Sequence, residues 1–375
     1  MIYLDNAATT KPSLSAIEGA KNFISSEYFN PSALYKQGLN CQSAINLARD
    51  VILKALGASK SDYKVVFTGS GSESDNLAIF GAVKRGCFIT DKGEHSAVYK
   101  SFLELEQRGN KVNFISLNQD GTACQEELFE FVKNNKVDFV SIVHVNNETG
   151  GINNVDYIAE TIKKISPSTV FHVDGVQAFC KLPFRLSNYI DMYSISAHKI
   201  NALKGVGALI CKKKLNLKPI VYGGGQEEGV RSGTENVFGI KVFENAILEK
   251  LPKVKINYDN VKLLKQYVID NLDKEIFEII SGENSSPYIL NVSAKGLKGE
   301  VLMHLLEQKD IIVGNGSACS SRNRFSRVIE ACGYKHDILD GVCRISFSSQ
   351  NNLEEIKIFV QEINSEAKKL KGIMQ

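Results

Sequence analysis

The chain has 375 residues, 43% of them apolar and 23% charged, with a net charge of +3. That length exceeds what one hydrophobic core usually serves, so two domains are expected, and the near-even charge balance argues against nucleic acid as a main partner. The first residues carry Asp5 and Lys11 with no apolar stretch between them, and no run nears the roughly 18 apolar residues of a membrane helix, so neither a signal peptide nor a membrane anchor is expected. From about residue 41 to 211 helix and strand patterns alternate. Gln42–Leu56 has a helical stripe at Ile45, Ala48, Ile52 and Leu56. Lys64–Thr68 reads as a buried strand, Glu73–Lys84 as a helix and Cys87–Thr90 as a strand. Helices over Ser96–Arg108, Glu126–Asn134 and Val155–Ile165 alternate with strands over Val112–Ser116, Phe139–Val145 and Val170–Asp174. Strands over Ile190–Ser196 and Val206–Cys211 complete the series. Apolar strands separated by helices imply a mostly parallel sheet covered on both faces.

Beyond about residue 235 the pattern changes. Ile240, Phe243 and Ile247, then Val261, Leu264, Val268 and Leu272, mark long helices. Short strands near Ile289–Val292 and Arg344–Ser348 and a last helix bearing Ile356, Phe359 and Ile363 suggest a smaller α+β domain. The expected fold class is therefore α/β, with a large domain over 12–245 and a small one from 1–11 plus 246–375. Eight cysteines, at positions 41, 87, 124, 180, 211, 319, 332 and 343, form no C-x-x-C pair, so no metal site is expected from spacing. Their scatter through a long chain suits a reducing, cytoplasmic setting.

In an open parallel sheet, ligands sit beyond the carboxyl ends of the strands. Four groups follow predicted strands or stand apart in composition. Gly69-Ser70-Gly71-Ser72-Glu73-Ser74 lies between a strand and a helix, where small residues and free N–H groups receive anions; Ser72 fits either an anion ligand or a helix cap. Asp174 ends an apolar strand, where a carboxylate is costly unless paired. Lys199, in Ser196-Ala197-His198-Lys199, is either a surface cation or, if partly buried, an amine nucleophile. Cys319, amid Gly314-Asn-Gly-Ser-Ala-Cys-Ser-Ser, reads as exposed, unlike Cys87, Cys180 and Cys211. A lysine and an acid after successive strands, with an anion-receiving turn, are what pyridoxal 5'-phosphate (PLP) requires.

These residues resemble the class V, fold-type I PLP enzymes, and most closely the NifS/IscS-like cysteine desulfurases. The resemblance runs through YLDNAATT (3–10), FTGSGSESDNLAI (67–79), EHSAV (94–98), HVNNETG (144–150), HVDGVQ (172–177), SAHK (196–199), RSGTEN (231–236), GSACSS (316–321) and CRISFS (343–348). It implies that Lys199 carries PLP as a Schiff base, Asp174 pairs with the ring nitrogen and Gln177 meets the ring hydroxyl. His95 would stack on the ring and handle protons; as a plain residue it would start a helix. Gly71, Ser72, Ser196 and His198 would hold the phosphate. Thr234 would reach the phosphate of a second subunit, implying a homodimer; alone, it could cap a helix near Asn236. Asn147 and Arg344 would bind the substrate carboxylate, a task that suits the planar fork of arginine. Cys319 would be the nucleophile that takes sulfur from L-cysteine, leaving alanine, and passes it to an acceptor such as an iron–sulfur scaffold or a tRNA-thiolation protein. Another class V enzyme, a selenocysteine lyase or an aminotransferase, is the alternative, and a non-catalytic sulfur-assembly scaffold the alternative of a different kind. The chain departs from many relatives at Tyr35, where a histidine is usual after FNPSA (29–33), and at INALKG (200–205), where the loop after Lys199 is expected to take its own shape.

Overall fold

The protein is described here from a computed structural model, which describes residues 1–83, 85–314 and 325–374. Twelve strands are assigned among them: β1 (Ile2–Leu4), β2 (Tyr63–Thr68), β3 (Cys87–Asp91), β4 (Lys111–Ile115), β5 (Phe139–Val143), β6 (Val170–Asp174), β7 (Met192–Ser196), β8 (Gly207–Lys212), β9 (Phe277–Ile279), β10 (Ile289–Ala294), β11 (Ile311–Val313) and β12 (Val342–Ser346). Seven form one sheet in the order β2-β8-β7-β6-β5-β3-β4. The strands from β4 to β7 are mutually parallel, whereas β8 runs antiparallel to both β7 and β2. Two antiparallel steps restore direction. The carboxyl end of β2 therefore lies on the same edge as those of β6 and β7, and the Gly69–Ser72 turn joins Asp174 and Lys199 there.

Both faces of the sheet are buried, which is why its strands are continuously apolar rather than alternating. Along β2, Val65 and Phe67 pack into the core cluster containing Ile45, Ile52 and Phe243, while Val66 packs into the opposite one with Leu77, Phe88 and Phe102. Full burial of a side chain such as Phe88 contributes about 1.5–3 kcal/mol. A second core gathers Leu4, Val261, Leu290, Val292, Ile345 and Phe359 around the antiparallel sheet β12-β10-β9.

The amino-terminal segment joins the two bodies of structure. β1 pairs in parallel with β11, Asn6 N–H donates to Ser346 O, and Thr10 N–H donates to His198 O at 3.0 Å. The helix expected over Gln42–Leu56 begins earlier, at Lys36. Its first turns pack backbone against backbone: a Cβ on Gly38 would stand 2.5 Å from Ala33 O. No apolar stripe marks such contact. β1, β9 and β11 are three residues each, too short to carry an alternation, and owe their form to their partners. Among the described residues no helix is long and apolar enough to cross a membrane.

Candidate active site

A cavity of about 330 Å³ opens at the carboxyl edge of the large sheet. It is lined by ten of the twelve residues singled out from sequence: Gly71, Ser72, His95, Asn147, Asp174, Gln177, Ser196, His198, Lys199 and Arg344. Thr234 is not among them. It is exposed and lines a smaller cavity with Glu227 and Arg231. It also does not cap the following helix, which starts on Asn236, whose side chain accepts from Gly239 N–H. Cys319 lies outside the described residues.

Lys199 ends a single 3₁₀ turn that follows β7 directly. Its Nζ donates to Ala7 O at 2.6 Å and Ala8 O at 2.8 Å, so the amino-terminal segment places the amine at the cavity wall. The loop after it is sewn to the same segment. Asn201 adopts a left-handed backbone (φ 65°), donates its N–H to Thr10 Oγ1 and its side-chain amide to Lys11 O. That is the local shape taken by the INALKG departure. Gln177 is held at both ends of its amide, donating to Ala7 O at 2.8 Å and accepting from the buried Lys181 at 2.9 Å.

Asp174 is 4% exposed, with Oδ1 accepting from Val176 N–H at 3.0 Å. Burial raises its pKa to about 6, opposed by that N–H and by the Lys199 ammonium. The turn-capping carboxylate thus also lines the cavity. His95 starts a helix, as the plain reading had it, and also stands at the cavity. It is the N-cap of the Ser96–Gln107 helix, its Nδ1 accepting from Ala97 N–H at 3.2 Å, and its ring lines the cavity. Because Nδ1 accepts, the ring proton sits on Nε2. Burial first, then the Lys199 and Arg327 charges, lower its pKa to about 4, so the ring is neutral at neutral pH. Asp75, His95 and Asp174 each bring an atom within 4.8 Å of the others. The positive charge of Lys199, which acts on both His95 and Asp174, opposes a metal ion there.

The anion-receiving end is built from β2, β7 and the Gly71–Ala82 helix. Ser70, not Ser72, is the N-cap: Ser70 Oγ accepts from Glu73 N–H, and the Glu73 carboxylate returns to Gly69 N–H at 2.7 Å and pairs with Arg231. Ser72 is thereby left in the first helical turn, facing the cavity. Position 71 is tight for anything beyond glycine, because a Cβ would meet Val176 Cγ2 at 2.9 Å and Ser196 Cβ at 3.2 Å. Ser196 Oγ is buried with no hydrogen-bond partner among the described residues.

Across the cavity, Arg344 on β12 is nearly buried. Nη2 pairs with Asp5 at 2.8 Å and Nη1 donates to Asn147 O at 3.0 Å, while Nε is buried without a partner among the described residues. Asn147 contributes its backbone to this arrangement, and its side chain remains on the cavity wall. Arg327 was missed from sequence. Its Nη2 donates to Glu94 O at 2.6 Å, its Nη1 to Lys92 O, and it lies over the Tyr99 ring, bracing the turn that carries His95. Asp75 and Glu94 were missed as well. Asp75 could have been found, because it stands four residues after Gly71 on one helix and so on the same face. None of the seven described cysteines lines the cavity, and burial pushes Cys180, Cys211, Cys332 and Cys343 up to about 12.

A doubly covered, mostly parallel sheet with a lysine amine and a buried acid facing each other at its carboxyl edge is the framework of an aminotransferase-type enzyme. The chain belongs to the aminotransferase class-V family, whose model matches residues 2–359. It is 33% identical over 383 residues to the cysteine desulfurase IscS of Methanosarcina thermophila, covering 99% of this chain and 93% of that one. Among solved structures it resembles a NifS-like protein with a TM-score of 0.91, at 31% identity over 98% of this chain and 100% of the other. A NifS-like protein from Rickettsia africae superposes with a TM-score of 0.90, at 28% identity over 98% and 99% of the two chains.

Proposed function

We propose that this chain is a PLP-dependent cysteine desulfurase, converting L-cysteine to L-alanine and passing the sulfur, as a persulfide on Cys319, to acceptor proteins. The observation that carries the proposal is the convergence on one cavity of the Lys199 amine, the Asp174 carboxylate and the Ser196 hydroxyl, which has no partner among the described residues. The residues fit PLP. Ser196 Oγ, the Gly71 cradle and the first-turn N–H groups of the helix suit its phosphate. Asp174 suits its ring nitrogen, the His95 face its ring, Gln177 its ring hydroxyl and Lys199 its aldehyde. When bound, PLP supplies an electron sink for negative charge at the substrate Cα.

The chain's own groups do the rest. Arg344 and Asn147 orient the substrate carboxylate, with Arg344 Nε, which has no partner among the described residues, supplying a donor. Lys199 Nζ takes the proton from Cα and returns it. His95, neutral with its proton on Nε2, moves protons beside the reacting sulfur. The Cys319 thiolate forms an S–S bond to the substrate sulfur as the Cβ–S bond breaks, the electron pair staying with carbon, which is then protonated to alanine. The sequence around Cys319 and the desulfurase relatives support that role. Thr234, exposed at a separate cavity, suits a homodimer in which it serves the second subunit's phosphate. The alternatives within class V, aminotransferase or selenocysteine lyase, are separated from this proposal by products.

The test is to load the protein with PLP and 35S-labelled L-cysteine, quantify alanine and map the label. Equal alanine and protein-bound sulfur, with the label on Cys319, is expected. In Cys319→Ala the cofactor absorbance should persist while alanine release is lost. Native-rate turnover in that variant, or amino-group transfer to 2-oxoglutarate, read as glutamate, in place of alanine release, overturns the proposal.

A further inference from the structure

A line of hydrogen bonds runs across the sheet beneath the cavity. Ser141 of β5 bonds His172 Nδ1 at 2.8 Å, and His172 Nε2 bonds Ser194 of β7 at 2.9 Å. Asp75, projecting from the Gly71–Ala82 helix, ends the line. The Ser194 hydroxyl bonds its carboxyl, and its Oδ1 stands 3.7 Å from His172 Nε2. Ser141, His172 and Ser194 are fully buried and Asp75 is nearly so. Yet Asp75 also borders the cavity, and its Oδ1 has no hydrogen-bond partner among the described residues. Facing it within 4.8 Å is a carboxylate oxygen of Asp174.

Two buried carboxylates within 4.8 Å of each other are costly to ionise together, because each charge opposes the other and burial penalises both. The surroundings decide which one keeps the proton. Asp174 receives Val176 N–H and faces the Lys199 ammonium, and both favour its charged form. Asp75 is opposed first by burial and then by the Asp174 charge, with only the Ser194 hydroxyl in its favour. The remaining ionisable neighbours bring it no positive charge. His172 has both ring nitrogens committed, and burial holds it neutral with a pKa of about 3. His95 is neutral, and Glu94, from the turn after β3, is another buried acid whose charge Asp75 and Asp174 both oppose.

We propose that Asp75 and Asp174 hold one proton between them and that Asp75 keeps it, making Asp75 an un-ionised acid and a positioning residue for the Asp174 carboxylate. Asp75 then donates towards Asp174, fixing its rotamer and leaving a single negative charge at the cavity floor. One negative charge is what a protonated ring nitrogen requires. Two would attract stray cations, and none would leave the ring unpaired. That consequence rests on the PLP reading, but the position of the proton does not.

The test is infrared difference spectroscopy on the full-length protein, with and without PLP. At pH 8, the wild-type minus Asp75→Asn spectrum should contain the carbonyl band of an un-ionised carboxylic acid. A difference containing only carboxylate bands overturns the proposal. Glu94 senses the charge at position 75, so both proteins carry Glu94→Gln, and Asp91, common to both, cancels. Asp174→Asn supplies a second measurement should Asp75→Asn not fold. With its charged neighbour gone, Asp75 should lose its acid band at lower pH than in the wild type, and an unchanged midpoint overturns the shared proton. Failure of the protein to bind PLP, read separately by absorbance, would refute the proposed function and leave the infrared result standing.

Discussion

Replacing Arg344 by lysine isolates the task of recognising a carboxylate, because the positive charge survives and the planar fork does not. Nη2 and Nη1 are engaged by Asp5 and the Asn147 carbonyl, and Nε is a buried donor with no partner among the described residues. A substrate carboxylate arriving there relieves the unsatisfied group, and a charge-assisted bond of this kind is worth about 1.5–3 kcal/mol. A lysine has one nitrogen at the end of a flexible stem. It can replace the bond to Asp5 but cannot also present the second, fixed donor. Cysteine should therefore bind roughly 10- to 140-fold more weakly at about 1.4 kcal/mol per decade. Cofactor loading should be unchanged if Arg344 serves the substrate carboxylate as proposed. The assay is titration of the loaded protein with L-cysteine, read through the change in cofactor absorbance, alongside KM for alanine formation. Asp5→Asn is the control, removing the ion pair while keeping the guanidinium. An unchanged half-saturation in Arg344→Lys would refute the assignment of Arg344 to the substrate carboxylate.

Gly71→Ala should leave the fold intact but lower affinity for PLP. Its methyl must displace Val176 or Ser196 at a cost of about 1–3 kcal/mol, roughly 5- to 140-fold in affinity by equilibrium titration, and wild-type affinity would show that the cradle is not used. Lys199→Ala should abolish the borohydride-reducible link between protein and PLP, scored by mass spectrometry; retention of a normal reducible link would remove Lys199 from its role. His144 is buried, bonds the Tyr193 hydroxyl at 2.9 Å and is held neutral by burial with a pKa of about 3. Because that value is depressed, the unfolded chain takes up a proton below about 6.5 that the folded one refuses, so this residue's contribution to stability falls as pH drops from about 6.5 towards 3. His144→Phe should cost about 1–3 kcal/mol at pH 7 for the orphaned hydroxyl. Its stability should also decline less steeply with acid, by about 1.4 kcal/mol per pH unit. Urea unfolding at pH 7 and pH 5 measures both, and parallel declines in the two proteins would show that His144 does not titrate as described.

The sequence alone was sufficient wherever the physics is local. Continuous apolar runs identified the central strands, because strands buried on both faces need no polar positions. The residues just past those runs named most of the cavity wall, because a parallel sheet gathers its strand ends on one edge. Short pairings and backbone packing were not legible there. β1 and β11 exist only through each other, and the first turns of the Lys36–Leu56 helix rest on Gly38 against Ala33, a contact that leaves no hydrophobic signature. Tertiary structure decided the partners. It put the carbonyls of Ala7 and Ala8 on the Lys199 amine, set Asp5 against Arg344 across 339 positions of sequence, and turned Asp75, an ordinary polar residue on a helix in sequence, into a buried acid facing Asp174. Periodicity reports which face of an element is buried. Charge, protonation and orientation depend on what the rest of the chain brings against that face, and only the folded molecule supplies it.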